Sequence, residues 1–355
     1  MLRSALLCSS LFLLPGHQLA TKYTAESKLA VDTRFEMVLE TTEFTMERDG
    51  EPVEGRNFGG GGTTIKRHSA WTDHVVATAD GQPTKLRRSF DDLEQTTSTK
   101  MGETEREVES DAPLEGVTLE LSIGEDGKVS SEVVDGTAPG DSALLDGHAL
   151  ALQLDALLPS EAVEDNASWD LDKDAIRTTL GVGLTEKLFV RAQDAAAEAG
   201  AERGGGGRGG RGGGGAGRSA RLFELAEWTG KAVLKGEEDV DGVACWVIEL
   251  EIKGDGELPA APMGGGGRRG GGAFALPSEA RAIENPFEIE LEGTLKFSKA
   301  DQRPVALALE GKARVESNME RTMQESTMRV HTVQEGKIEL AISIAAAAEA
   351  KPAAK

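Results

Sequence analysis

From Phe287 onward the chain alternates apolar and polar residues almost without interruption. Phe287, Ile289, Leu291, Leu295 and Phe297 occupy odd positions, with Glu288, Glu290, Glu292, Lys296 and Ser298 between them. After a turn signal at Asp301-Gln302-Arg303-Pro304, the pattern resumes as Val305, Leu307, Leu309, Ala313 and Val315, then as Ile338, Leu340, Ile342 and Ile344. A period of two places alternate side chains on opposite faces of a strand, one buried and one wet. The chain is therefore expected to be mainly β, built on a large antiparallel sheet with one solvated face. Leu29, Val31, Phe35, Met37 and Leu39 carry the same pattern near the N-terminus. Further strands are expected at 65–79, 85–90, 95–110, 117–123, 128–135 and 244–252. Several exceed the usual five or six residues, which predicts one wide, twisted, half-barrel-like meander.

The segment 142–158, SALLDGHALALQLDALL, departs from this period. Its leucines at 144, 145, 152, 154, 157 and 158, a capping Asp141 or Ser142 and a terminating Pro159 predict a helix packed into the concave face of the sheet. Shorter helices are expected at 172–180 and 185–202. Glycine-rich insertions at 58–62, 203–218 and 264–273, and a softer Gly-Asp-Gly at 254–256, read as surface loops, because runs of glycine bury nothing and cost the most entropy to order. The tail 346–355 reads as disordered. Residues 21–345 then form a single discontinuous β-rich domain.

The first twenty residues have the order of a secretory leader: Arg3, an apolar run from Ala5 to Leu14, a Pro15-Gly16 break, and Ala20 before the expected cleavage. The run is too short to span a bilayer, which takes about 20 apolar residues. The expected location is periplasmic or extracellular, with no transmembrane span after the leader is removed. Of the two cysteines, Cys8 lies in the leader, so Cys245 has no internal partner and the fold must rest on its core. Thirty-nine Lys and Arg against 61 Asp and Glu give a formal charge of −22, which repels nucleic acid and anionic surfaces. Arginines 208, 211, 218, 268 and 269 stand among glycines with no aromatic interleaved, so flexible loops explain them better than single-strand binding.

No motif carries catalytic chemistry. Gly140-Asp141-Ser142 has the first three residues of an esterase block but no Asp-x-x-His follows, and a helix N-cap accounts for it. Asp170, Asp172 and Asp174 have the spacing of a calcium loop, yet Ala175 and Gly181 stand where Gly and Glu are needed, so helix-start carboxylates are the simpler reading. His68 and His74 make half a zinc site at best. No catalytic residue, metal ligand or cofactor is expected.

The segments LLPSEAVEDNASWDLD (157–172), GKAVLKGEEDVDGVACWVIELEI (230–252) and GTLKFSKADQRPVALALEG (293–311) resemble an uncharacterised class of exported bacterial proteins. That class is similar in outline to periplasmic lipoprotein-carrier and lipoprotein-sorting folds. The resemblance spans about residues 25–345 outside the glycine loops and rests on structural motifs, so it carries over no functional residue. It implies a curved sheet wrapped around helices and an apolar cavity. The expectation is a non-enzymatic envelope protein that binds an apolar ligand or lipid between sheet and helix. Its lining would come from Trp246, Ile248, Leu291, Leu295, Phe297, Leu307 and Leu309. The alternative is an envelope interaction protein in which these residues simply form core. A secreted hydrolase is the least supported reading.

Overall fold

A computed structural model describes residues 16–53, 61–124, 126–150, 153–190, 221–240, 242–259, 284–323 and 326–347. The alternating segments form one open antiparallel sheet of thirteen strands. The N-terminal half contributes β1 (Lys28–Arg48), β2 (Glu51–Pro52), β3 (Gly61–Ala79), β4 (Gln82–Met101), β5 (Thr104–Glu109), β6 (Thr118–Ile123) and β7 (Val129–Asp135). The C-terminal half contributes β8 (Ser168–Leu171), β9 (Glu227–Val240), β10 (Val243–Glu257), β11 (Pro286–Ser298), β12 (Arg303–Met323) and β13 (Ser326–Ala346). The order is β7-β6-β4-β3-β1-β13-β12-β11-β10-β9-β8, with β2 beside β1 and β5 beside β4.

This order has a consequence for the chain between β7 and β8. The first half meanders outward from β1 to one edge, and the second meanders inward from the opposite edge until β13 lies against β1. The two halves join along a register running from Leu29↔Ala346 to Arg48↔Met328, with one bulge between Thr41 and Glu43. The chain must therefore travel from edge to edge between Asp135 and Ser168. It does so across the concave face, burying Leu150, Leu154 and Leu157 in the same core as the sheet.

The crossing segment is not the single helix that its leucines suggest. It holds two 3₁₀ turns, Ser142–Leu145 and Gln153–Leu157. Asp146-Gly147 separates them, with Gly147 at φ +79°, a left-handed conformation that ends a helix. Asp141 caps the first turn, accepting from the Ala143 N–H at 2.9 Å. The helix against the sheet is instead a bent unit, α1 (Lys173–Thr179) followed by α2 (Leu184–Leu188), with Gly181 and Gly183 at positive φ in the bend. Asp172 caps α1 through its Oδ1, which accepts from the Asp174 and Ala175 N–H groups. A further short helix, α3 (Leu222–Leu225), precedes β9.

Other boundaries shift for local reasons. The strands expected at 85–90 and 95–110 are one continuous β4 turning into β5, and Asp91 is accommodated as a bulge between Phe90↔Trp71 and Asp92↔Ala70. Gly254 and Gly256 lie inside β10 rather than in a loop. A Cβ on Gly254 would sit 2.7 Å from the Trp228 ring, and one on Gly256 2.7 Å from the Phe287 ring. Gly61 and Gly62 begin β3, and β13 extends through Ala346. The helix expected at 185–202 is α2 as far as Leu188, and Phe189 is already extended. Residues 1–15, 58–60, 203–218, 264–273 and 348–355, with the rest of that helix, lie outside the described residues.

A diagonal of glycines crosses the C-terminal strands. A Cβ at Gly293, Gly311 or Gly336 would collide with the backbone carbonyl of Ala308, Glu290 or Val38 respectively. Backbones this close admit no side chain, and glycine kinks of this kind are how wide sheets bend sharply.

Residues just before the expected cleavage point are packed into the fold. Leu19 is fully buried, and His17 pairs through its backbone with Val163. The hydroxyls of Thr21 and Tyr23 each donate to Asp155 at 2.6 Å, tying this segment to the second 3₁₀ turn. A chain beginning at Thr21 loses the Leu19 side chain. It should unfold with about 2–5 kcal/mol less stability than one beginning at Gly16, the range for deleting a buried leucine; urea melts of the two proteins measure the difference, and equal midpoints would refute it.

Candidate functional site

The inward face of β3 changes character along its length. Thr63, Ile65, Arg67, Ser69, Trp71, Asp73 and Val75 point to the same face by the strand period. Two of them are charged, on a face where an unpaired charge is costly. Asp73 is matched by Arg88 of β4. The Arg88 Nε donates to Asp73 Oδ1 at 2.7 Å and Nη2 to Oδ2 at 2.8 Å, with the two side chains 4% and 2% exposed. This fork satisfies both carboxylate oxygens. The Arg88 guanidinium also lies 5.5 Å from the centre of the Trp71 ring.

His148, brought over this pair by the crossing segment, is equally buried. Its Nε2 donates to the Leu144 carbonyl at 3.1 Å, and Nδ1 has no hydrogen-bond partner. Burial first, and then the positive charge of Arg88, pull its pKa down to about 4, so it is neutral at pH 7.

Arg67 is the second charge, and its surroundings differ. Its Nε donates to Gln95 Oε1 at 3.0 Å, and its guanidinium lies 5.0 Å from the Phe35 ring centre and 5.8 Å from that of Phe189. No carboxylate among the described residues forms an ion pair with it. Half-buried, it has its pKa pulled down to about 10 by desolvation. A guanidinium has five N–H donors, so its Nη groups remain without described partners.

Arg67 lines a cavity of about 30 Å³, partly open to solvent, between the sheet and the bent helix. Thr33 and Phe35 of β1, Ser69 and Trp71 of β3 and Leu340 of β13 form its floor; the stretch from Thr179 to Leu188 forms its roof. The register explains the floor: Phe35 pairs with both Arg67 and Leu340, Thr33 with Ser69, and Val31 with Trp71. Two buried polar atoms of the lining, Trp71 Nε1 and Thr33 Oγ1, have no hydrogen-bond partner. Such groups cost about 1–3 kcal/mol each when unsatisfied. The cavity thus joins apolar walls to a cation and two orphaned polar atoms.

The seven residues expected to line an apolar cavity lie elsewhere. Ile248, Leu291, Leu295, Phe297, Leu307 and Leu309 are all buried in the core, and neighbouring strands bring Ile248, Leu295 and Leu307 into one row. Trp246 sits at the core's margin, its ring centre 4.0 Å from that of His17 and 4.3 Å from the Lys299 ammonium. None of the seven lines the cavity.

The other candidate chemistry also finds its place. His68 faces outward between Asp32 at 2.9 Å and Asp92 at 3.2 Å, and His74 meets Glu26 at 3.2 Å. No three His, Cys, Asp or Glu among the described residues are grouped to hold a metal ion. Cys245 is buried, and desolvation raises its pKa. No helix among the described residues is long and apolar enough to cross a membrane, which says nothing of strands.

The histidines of β3 stand at even positions, 68 and 74, whereas the inward-facing charges stand at odd ones. The available signal was Arg67-x-Ser69-x-Trp71-x-Asp73, polar and charged residues on the face that Ile65 and Val75 mark as buried. Arg88 and His148 gave no such signal, because their partners come from elsewhere in the chain.

No family model matches the chain, and no curated protein matches it. Among solved structures, the secretin domain β-barrel of InvG from the Salmonella SPI-1 injectisome aligns over 93% of this chain and 66% of its own, at 7% identity and a TM-score of 0.16. This chain therefore covers slightly less than two thirds of that domain. Ail, the attachment invasion locus protein of Yersinia pestis, aligns over 88% of this chain and 99% of its own, at 5% identity and a TM-score of 0.09. Both are barrel-like β proteins, and scores this low carry no argument about fold or activity.

Two outcomes follow from the buried polar groups. Asp73→Ala leaves Arg88 buried and unpaired and should cost about 3–5 kcal/mol, whereas replacing both with apolar residues of similar volume should recover most of that loss; thermal or urea melts of the single and double variants report this. For His148 the folded pKa lies below the unfolded value near 6.5. The unfolded chain therefore binds the proton first as pH falls, and stability declines between pH 6.5 and about 4, by up to roughly 3 kcal/mol. Asp155, whose pKa burial raises, acts in the opposite sense. The test is thus the difference in pH profile between the native chain and His148→Leu, which should flatten in this window.

Proposed function

We propose that this chain is a non-enzymatic exported protein that holds a small ligand beneath its bent helix, in the cavity between α1–α2 and strands β1, β3 and β13. One observation carries the reading. Between the sheet and the bent helix a cavity meets a guanidinium and two buried polar atoms that have no hydrogen-bond partner among the described residues. Ligand sites characteristically combine apolar walls with a few convergent polar groups. The leader-like N-terminus supports export. The resemblance to lipoprotein-carrier folds supports ligand binding between a curved sheet and its helices.

The size of the cavity limits the ligand. About 30 Å³ accommodates roughly two water molecules. A small polar head enters as the site stands; an acyl chain enters only if α2 moves away from the sheet. The short α2, hinged on Gly181 and Gly183, is the element able to do this.

A second reading has its own support. Six of the seven residues first expected to line a cavity are buried core, which favours an envelope interaction protein whose acidic outer face meets other components. Gentle purification from the native envelope, followed by native mass spectrometry and organic extraction, separates the two. The first reading expects a bound small molecule at near one-to-one stoichiometry. A protein that carries none and takes up none when offered candidate ligands would leave the interaction reading.

A further inference from the structure

We infer that the ligand's recognised feature is a carboxylate, held by Arg67, with a short apolar tail against the bent helix; this rests on the ligand-binding reading above. The argument begins with charge. Two arginines of the inward face, Arg88 buried and Arg67 half-buried, are treated differently by the fold. Arg88 is fully neutralised by Asp73 in a two-point fork. Arg67 receives no carboxylate from any described residue; only its Nε is engaged, by the neutral Gln95 amide.

The engaged Nε fixes the side chain and leaves the end of the guanidinium available. Its two Nη nitrogens present the parallel donor pair that a carboxylate accepts from arginine. The rings of Phe35 and Phe189, at 5.0 and 5.8 Å, hold the planar group on apolar surfaces and displace competing water from it. Trp71, 5% exposed, adds an indole N–H with no acceptor, and an indole N–H can only donate. Thr33 Oγ1 adds a hydroxyl without a partner. Charge and orphaned donor alike call for an acceptor of negative charge, and no unpaired acidic side chain lines the cavity to oppose one.

The remainder of the lining selects the rest of the molecule. Leu180, Leu184, Leu188 and Leu340 dominate it, and its remaining hydroxyl residues, Ser69, Thr179 and Thr185, bring no charge to meet a second charged end. A dicarboxylate or a phosphodiester with a large polar head would bury charge against them at high cost. A monocarboxylate of modest chain length meets both parts of the site. Its head occupies the small cavity, and its tail follows the leucines toward the partly open mouth as α2 moves away from the sheet.

The test compares octanoate with 1-octanol, matched in chain length and differing in the charged head, by calorimetric titration of the full-length protein. Octanoate should bind at least roughly tenfold more tightly, the smallest effect expected of hydrogen bonds to a charged group. Arg67→Gln should abolish that preference, while Arg34→Gln, on the outward face of β1, should retain it. Circular dichroism melts establish that both variants fold, and the octanoate-to-octanol ratio of the native protein decides the matter even if Arg67→Gln does not. Equal binding of the two probes would leave the cavity as a ligand site and overturn the carboxylate assignment. Binding of neither, with no ligand found by native mass spectrometry, would overturn both.

Discussion

Pairing of β1 with β13 is the interaction on which the rest depends. Each half of the chain is a meander of locally connected antiparallel strands, and either alone would end in a long exposed edge. The seam joins residues near position 29 to residues near position 346. Contacts this distant in sequence are costly in loop-closure entropy and form slowly. In return, the seam removes the two longest edges in the molecule, which unpaired would template aggregation. It also places β3 and β13 on either side of β1, which alone makes Arg67, Phe35 and Leu340 neighbours. The candidate site therefore exists only in the completed sheet.

The topology imposes a second condition. With β7 and β8 at opposite edges, the connecting chain must cross one face of the sheet, and the apolar face is the one that lowers free energy when covered. The crossing segment is in this sense the sheet's second layer. Its leucines fill the concavity, its Asp155 secures Thr21 and Tyr23, and its His148 closes over the Asp73–Arg88 pair. Where the segment gives way to the bent helix, filling is incomplete and the cavity opens. The outer face needs no cover. Pairs such as Lys66–Glu36 and Lys253–Glu290 are largely solvated there and contribute little individually.

Much of this was legible in the residues. The alternation at 287–315 and 338–344 gave the inward face of β11, β12 and β13 residue by residue, and the long strands were expected as such. The misreadings have specific causes. The leucines of 142–158 fit a helix by composition, but Asp146-Gly147 prevents one and burial of the leucines requires none. Gly254 and Gly256 looked like loop residues because what fixes them, the rings of Trp228 and Phe287, comes from neighbouring strands. Arg67 and Asp73 were visible as charges on a buried face, whereas the aromatic neighbours of one and the carboxylate's partner, Arg88, were not.

Most of the long strands, the wet face of each and the acidity of the outer surface were readable from the residues alone, because a period of two and the cost of burying charge are local rules; β8 and β9 were not. The residues also marked the leader-like N-terminus and the turns. Only the tertiary structure decided the order of strands, the crossing of the concave face and the fate of each buried charge. Those depend on which distant segments pair, and a carboxylate's distance from a guanidinium is not written in the spacing of either along the chain. That is why Arg88 is neutralised within the fold and Arg67 is left facing a cavity.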